Sequence, residues 1–110
     1  MTLAEFEQQL FVTALASPLC DIPSVLRLTA TAIKIRVYTT VGNYIDAFYN
    51  EQTGTTAYAL IDKGHRIFGA DNTGGWHKHP FHDPKRHDPL PGAMTFAEFV
   101  RQIEQYYGFL

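Results

Sequence analysis

"AIKIRVYTTVGNYIDAFYN", residues 32 to 50, decides the fold. Ile33, Ile35 and Val37 alternate with Lys34, Arg36 and Tyr38, the period of two that suits a strand with one buried and one open face. Gly42 and Asn43 then predict a tight two-residue reversal between Val41 and Tyr44, because both residue types accept the positive φ of primed hairpin turns. The chain returns along Tyr44 to Asn50. Outward from this hairpin, "EQTG" (51–54) and "DKGH" (62–65) mark two more reversals, with strand-forming runs at Thr55–Ile61 and Arg66–Ala70. Turns this short exclude parallel crossovers, so a four-stranded antiparallel meander is expected.

At both ends the period lengthens to that of a helix. "TLAEFEQQLFVTALA" (2–16) places Thr2 and Glu5 as a capping box and Leu3, Phe6, Leu10 and Ala14 on one stripe, ending before Pro18. "TFAEFVRQIEQYY" (95–107) repeats the signal with Thr95 and Glu98, and its stripe is Phe96, Phe99, Val100, Ile103 and Tyr107. Between Pro18 and Thr31, "SVLRLTAT" reads equally as a strand or a helical turn. The sum is one α+β domain over residues 1–110: a meander flanked by an N-terminal and a C-terminal helix, with a long His/Pro-rich loop before the last helix.

The net charge of −2 supplies no global field for nucleic acid, so any such site must be local, and the one dense basic island is Lys78, Lys85 and Arg86. A single cysteine, Cys20, excludes an internal disulfide, and its apolar setting "PLCDIP" reads as a packed thiol. With no signal-peptide pattern and no long apolar run, the expected location is the reducing cytoplasm, away from membranes.

"WHKHPFHDPKRHDPLP", residues 76 to 91, holds four of the chain's five histidines. A turn is solvated by Ser, Asn and Gly without groups that titrate near neutrality, so this concentration of imidazole points to chemistry or binding. Paired histidines are what ribonucleolytic transesterification requires: a base for the ribose 2′-hydroxyl, an acid for the leaving 5′-oxygen and a cation for the phosphorane. His77, His79, His82 and His87 are the candidate acids and bases, with Arg66, Lys78, Lys85 and Arg86 to hold phosphate. This chemistry needs no cofactor. The rival is a divalent zinc or manganese ion on His77, His79, His82 and Asp83, or on Asp88, although the spacing matches no closed zinc-finger pattern. A third reading makes these residues the stitching of a long loop. Tyr38, Tyr44, Phe48 and Tyr58 are candidates to stack bases, against the commoner role of cross-strand packing.

"HRIFGADNTGGWHKHPFHDPKRH" (65–87) resembles the region after the meander in the TumE-like toxins of prokaryotic toxin-antitoxin modules: an Asp-Asn element, paired histidines, then a Pro-His-rich element. The matching positions are Asp71 and Asn72, His77 and His79, and Pro80, His82 and His87, and the likeness spans roughly Ile33 to Tyr107. Here Lys78 separates the paired histidines, and Gly69 and Ala70 stand where the family carries an arginine. The resemblance implies a toxin acting as a small ribonuclease in which Asp71 orients an imidazole, with RNA as substrate and a cognate antitoxin of helix-turn-helix type as partner; a homodimer is a separate expectation. The alternatives are a non-catalytic protein-binding module and a metal-dependent phosphodiesterase.

Overall fold

The computed structural model describes residues 1–109. The chain runs α1 (Leu3–Ala16), β1 (Ser24–Leu28), β2 (Ala32–Tyr38), β3 (Tyr44–Asn50), β4 (Thr56–Asp62), β5 (His65–Asp71), β6 (His77–His79), β7 (Asp88–Pro89) and α2 (Phe96–Tyr106). The strands pair in chain order as one seven-stranded sheet, every pair antiparallel. The expected four strands are β2 to β5, its centre, and the four-stranded meander is corrected to seven.

The three additional strands lack the alternation that betrays a half-buried strand. β1 is exposed at all five positions and slips register at Leu26, a bulge that also blunts a free sheet edge. β6 and β7 have three and two residues, less than a full repeat of any pattern, and Pro89 is tolerated because β7 is the other edge. The expected unstructured His/Pro-rich loop is therefore a short hairpin with its turn at residues 80–87. The first hairpin also differs: its loop is Thr39–Asn43, closed by the Thr39 N–H donating to the Asn43 carbonyl at 2.9 Å, because Thr39 is drawn into a bridge with Cys20. The tight primed turn lies at Lys63-Gly64 instead, both with positive φ.

Both helices cover the same sheet face. Phe6, Leu10 and Ala14 of α1 and Phe96, Phe99, Val100 and Ile103 of α2 pack on Ile33, Ile35, Val37, Ile45, Leu60 and Phe68. Thr2 and Glu5 cap α1 reciprocally. Thr95 accepts from the Glu98 N–H at 3.1 Å, while the Glu98 side chain turns to a cleft beside β6. No helix among the described residues is long and apolar enough to cross a membrane.

The opposite face carries polar and charged side chains. Arg36 donates through two nitrogens to Asp46 at 2.8 and 3.0 Å and lies 4.1 Å over the Tyr44 ring, which packs edge-on against Tyr38. Tyr58 is not on this face: it is 6% exposed, under Phe96 and Phe99, so it offers no base-stacking surface.

Candidate functional site

Register assembles the site. Asp71 of β5 pairs with His77 of β6, Gly69 pairs with His79, and side chains two residues apart on a strand share a face, so Asp71, His77 and His79 all stand on the face away from the helices. The tight return through β7 sets His87 against them: its ring centroid lies 4.8 Å from that of His77 and 4.5 Å from that of His79. The three rings each bring a nitrogen within 4.8 Å of the others, an arrangement able to hold a metal ion.

The hydrogen bonds fix the ring orientations. His77 Nδ1 lies 2.9 Å from the Gly75 carbonyl oxygen, and His79 Nδ1 lies 3.2 Å from that of Arg86. Their Nε2 atoms converge on one carboxylate, His77 at 3.3 Å from Asp71 Oδ1 and His79 at 3.1 Å from Asp71 Oδ2. Each ring thus faces an oxygen acceptor at both nitrogens. A neutral imidazole has one N–H, so it can donate to only one of these two oxygens, and a cation placed among the rings and Asp71 would be met by the nitrogen lone pair left over. Burial pushes the Asp71 carboxyl up, but hydrogen bonds from His79 and the Thr73 N–H, together with the facing imidazoles, outweigh it and hold the group below its ordinary range.

Gly69 makes room for this geometry. A Cβ there would lie 3.0 Å from Arg66 Cδ, 3.1 Å from the Tyr58 carbonyl oxygen and 3.5 Å from His79 Cδ2. The bare strand lets Arg66 cross beside the His79 ring and donate through Nη2 to the Pro84 carbonyl at 3.0 Å, tying the 80–87 turn to the sheet.

Of the residues singled out from sequence, Asp71, His77, His79 and His87 come together, with Arg66 alongside. His82 does not join them. It lies on the helix side of the sheet, exposed, in a cleft with Tyr106, because the chain turns over at Pro80 and Phe81 is drawn into a ring stack with Phe68. Asp83 is outside the histidine group too, so the expected ligand set His77, His79, His82 and Asp83 is replaced by three histidines with Asp71 beside them. Lys78 points to the helix side, as alternation dictates between two histidines that point away from it. Arg86 spends its guanidinium on Asp88, donating at 2.8 and 3.0 Å, and serves the site through its backbone carbonyl. Asp88 is thereby held as an ion-pair partner, and Lys85 is exposed on the turn.

The carbonyls of Gly75 and Arg86 also belong to the site but carry no residue-type signal in sequence, and Gly69 belongs to it with a weak one, a glycine inside a strand. Comparison with protein-family models, curated proteins and solved structures finds no match to this chain.

Proposed function

We propose that this protein is a phosphodiesterase acting on RNA, a toxin-type ribonuclease whose centre of His77, His79, His87 and Asp71 works with a divalent cation of the zinc class. The observation that carries the reading is the convergence of His77 Nε2 and His79 Nε2 on Asp71, each ring having its Nδ1 against a backbone carbonyl. That is how a metal-binding histidine is held: the Nδ1–H is donated outward, so Nε2 keeps its lone pair for the ion. Spacing agrees. Two donors about 2.0–2.1 Å from one zinc ion at a tetrahedral angle stand about 3.3 Å apart; His77 and His79 already stand 3.3 and 3.1 Å from the two oxygens of Asp71, and the three imidazole nitrogens, within 4.8 Å of one another, would close inward onto the ion. His87 is the remaining ligand, and its exposure leaves it free to swing the last distance.

A dication held by three imidazoles and one carboxylate would keep net positive charge, and the chemistry it would supply is polarisation of a phosphoryl oxygen and acidification of water. The protein's own part is positioning. Asp71 and the two carbonyls lock His77 and His79, while Arg66, with donors left after its bond to Pro84, and Lys85 on the turn draw a polyanion to the open face. The resemblance to TumE-like toxins supports RNA as substrate and a cognate antitoxin as the partner that restrains the activity.

The test is RNA cleavage and growth inhibition by His87→Ala and His82→Ala, each with its thermal melt. His87→Ala is expected to abolish both activities with the melt of the metal-free protein nearly unchanged, since an exposed residue off the core shifts stability by less than about 0.5 kcal/mol. His82→Ala is expected to retain cleavage at the centre. Cleavage that persists in His87→Ala removes this centre from the chemistry. Cleavage by metal-free protein in chelator assigns the same histidines to acid and base roles, and no cleavage by the metal-loaded wild type leaves the binding-module reading.

A further inference from the structure

On the helix side of β6, opposite the histidine centre, a cleft of about 580 Å³ opens between the Pro80–His82 turn and α2. Lys78 and Arg101 line it, and neither has a carboxylate within ion-pair distance among the described residues. Glu98 lies on the same wall, and Asp88, tied to Arg86, faces Lys78 across the β6–β7 pair. Of the charged groups that line it, Lys78 and Arg101 stand against Glu98, two against one, which leaves the cleft wall net positive, while Arg86 and Asp88 beside it neutralise each other.

Four aromatic rings form a ladder leading to it. Phe99 stacks on Phe68 at 5.0 Å, Phe68 on Phe81 at 4.4 Å with 2° between planes, and Phe81 on Tyr106 at 3.7 Å with 3°. The first ring is fully buried and the last is 49% exposed on the cleft wall. An anchor for the turn needs no ring beyond Phe81. The half-exposed end of the ladder, flanked by two cations and by the amides of Gln102 and Gln105, has the parts that hold a nucleotide: an aromatic plane for the base, cations for the phosphate and amides for the base edge.

We infer that this cleft is a nucleotide subsite, taking a base against Tyr106 and its phosphate between Lys78 and Arg101. The inference deepens the ribonuclease reading and rests on it for one point, that the occupant belongs to a single-stranded RNA. The strand would pass from the histidine centre around the β7 edge, over the turn carrying Lys85, into the cleft.

Adenosine 5′-monophosphate and inorganic phosphate, titrated calorimetrically into metal-free full-length protein, test it without involving the histidine centre. Tyr106→Ala should weaken the nucleotide about tenfold and leave phosphate unchanged, a loss within the range of one base–aromatic stack. Tyr106→Phe, which keeps the ring, should bind like wild type. Arg101→Ala should weaken both ligands about tenfold, and His87→Ala neither. No nucleotide binding by wild type, or equal binding by wild type, Tyr106→Ala and Arg101→Ala, overturns the subsite. Binding that follows this pattern in a protein that cleaves no RNA upholds the subsite and overturns the catalytic reading. Cleavage whose KM is untouched by Arg101→Ala does the reverse.

Discussion

Gly69→Ala sets two effects of opposite sign against each other, and the distances say which wins. Replacing a strand glycine with alanine restricts the unfolded chain and is favourable by about 0.5–1 kcal/mol where the methyl fits. Here it meets Arg66 Cδ at 3.0 Å and the Tyr58 carbonyl oxygen at 3.1 Å. Carbon pairs rest at about 3.5–4.0 Å, so Arg66 must withdraw by about 0.5 Å or more. That strains its 3.0 Å bond to Pro84, whereas the Tyr58 carbonyl belongs to β4, paired on both sides, and has nowhere to move. Overpacking costs about 1–3 kcal/mol. The net expectation is destabilisation by about 1–2 kcal/mol, or a melting temperature lower by about 5–10 °C for a domain near this size. Calorimetric melts of metal-free protein measure it. Gly92→Ala is the control, since a Cβ there meets nothing within 4 Å and its backbone is not left-handed. A Gly69→Ala melt at or above wild type would refute the packing argument and, with it, the reason Arg66 lies beside His79.

Thr2→Ala removes one side of a reciprocal capping box and should cost about 1 kcal/mol by denaturant titration; an unchanged midpoint would take the cap out of the account. Burial pushes the Cys20 thiol up to about 11, so at pH 8 it should react with a disulfide reagent far more slowly than free cysteine and recover on unfolding. Fast labelling of native protein would contradict its packing. Asp71→Asn keeps the shape and the acceptor for the Thr73 N–H but removes the charge, so the metal-free melt should stay within about 1 kcal/mol while zinc affinity collapses; unaltered affinity would exclude Asp71 as a ligand.

The parts legible in the sequence were those with a repeat long enough to count. β2 showed as alternation, β3 to β5 showed as strand-forming runs set off by turn signals, and the stripes of α1 and α2 showed as helical spacing with a threonine before each. β1 stayed ambiguous because it buries nothing, and β6 and β7 were invisible because a strand of two or three residues exists only through its neighbours. The site followed the same division. Composition pointed to residues 76–91 and the resemblance to Asp71, but grouping depends on register: a single extended piece sets His77 and His79 on one side, while nothing local says that the chain turns over at Pro80 and returns with His87 in place of His82. Arg86 shows the limit most plainly, its charge read as a phosphate grip when its carbonyl is what the site uses.

The central claim is that His77, His79, His87 and Asp71 bind a divalent cation, and the most direct measurement is the melting temperature of untagged protein with and without zinc. A ligand bound only to the native state stabilises by about 2.7 kcal/mol at one hundred times its dissociation constant, a rise of about 10 °C or more for a domain near this size. Wild type should show that rise with one zinc per chain by elemental analysis. His87→Ala should lose most of it, and His82→Ala should keep it in full. A wild-type melt that zinc does not move, with no metal retained, would contradict the claim.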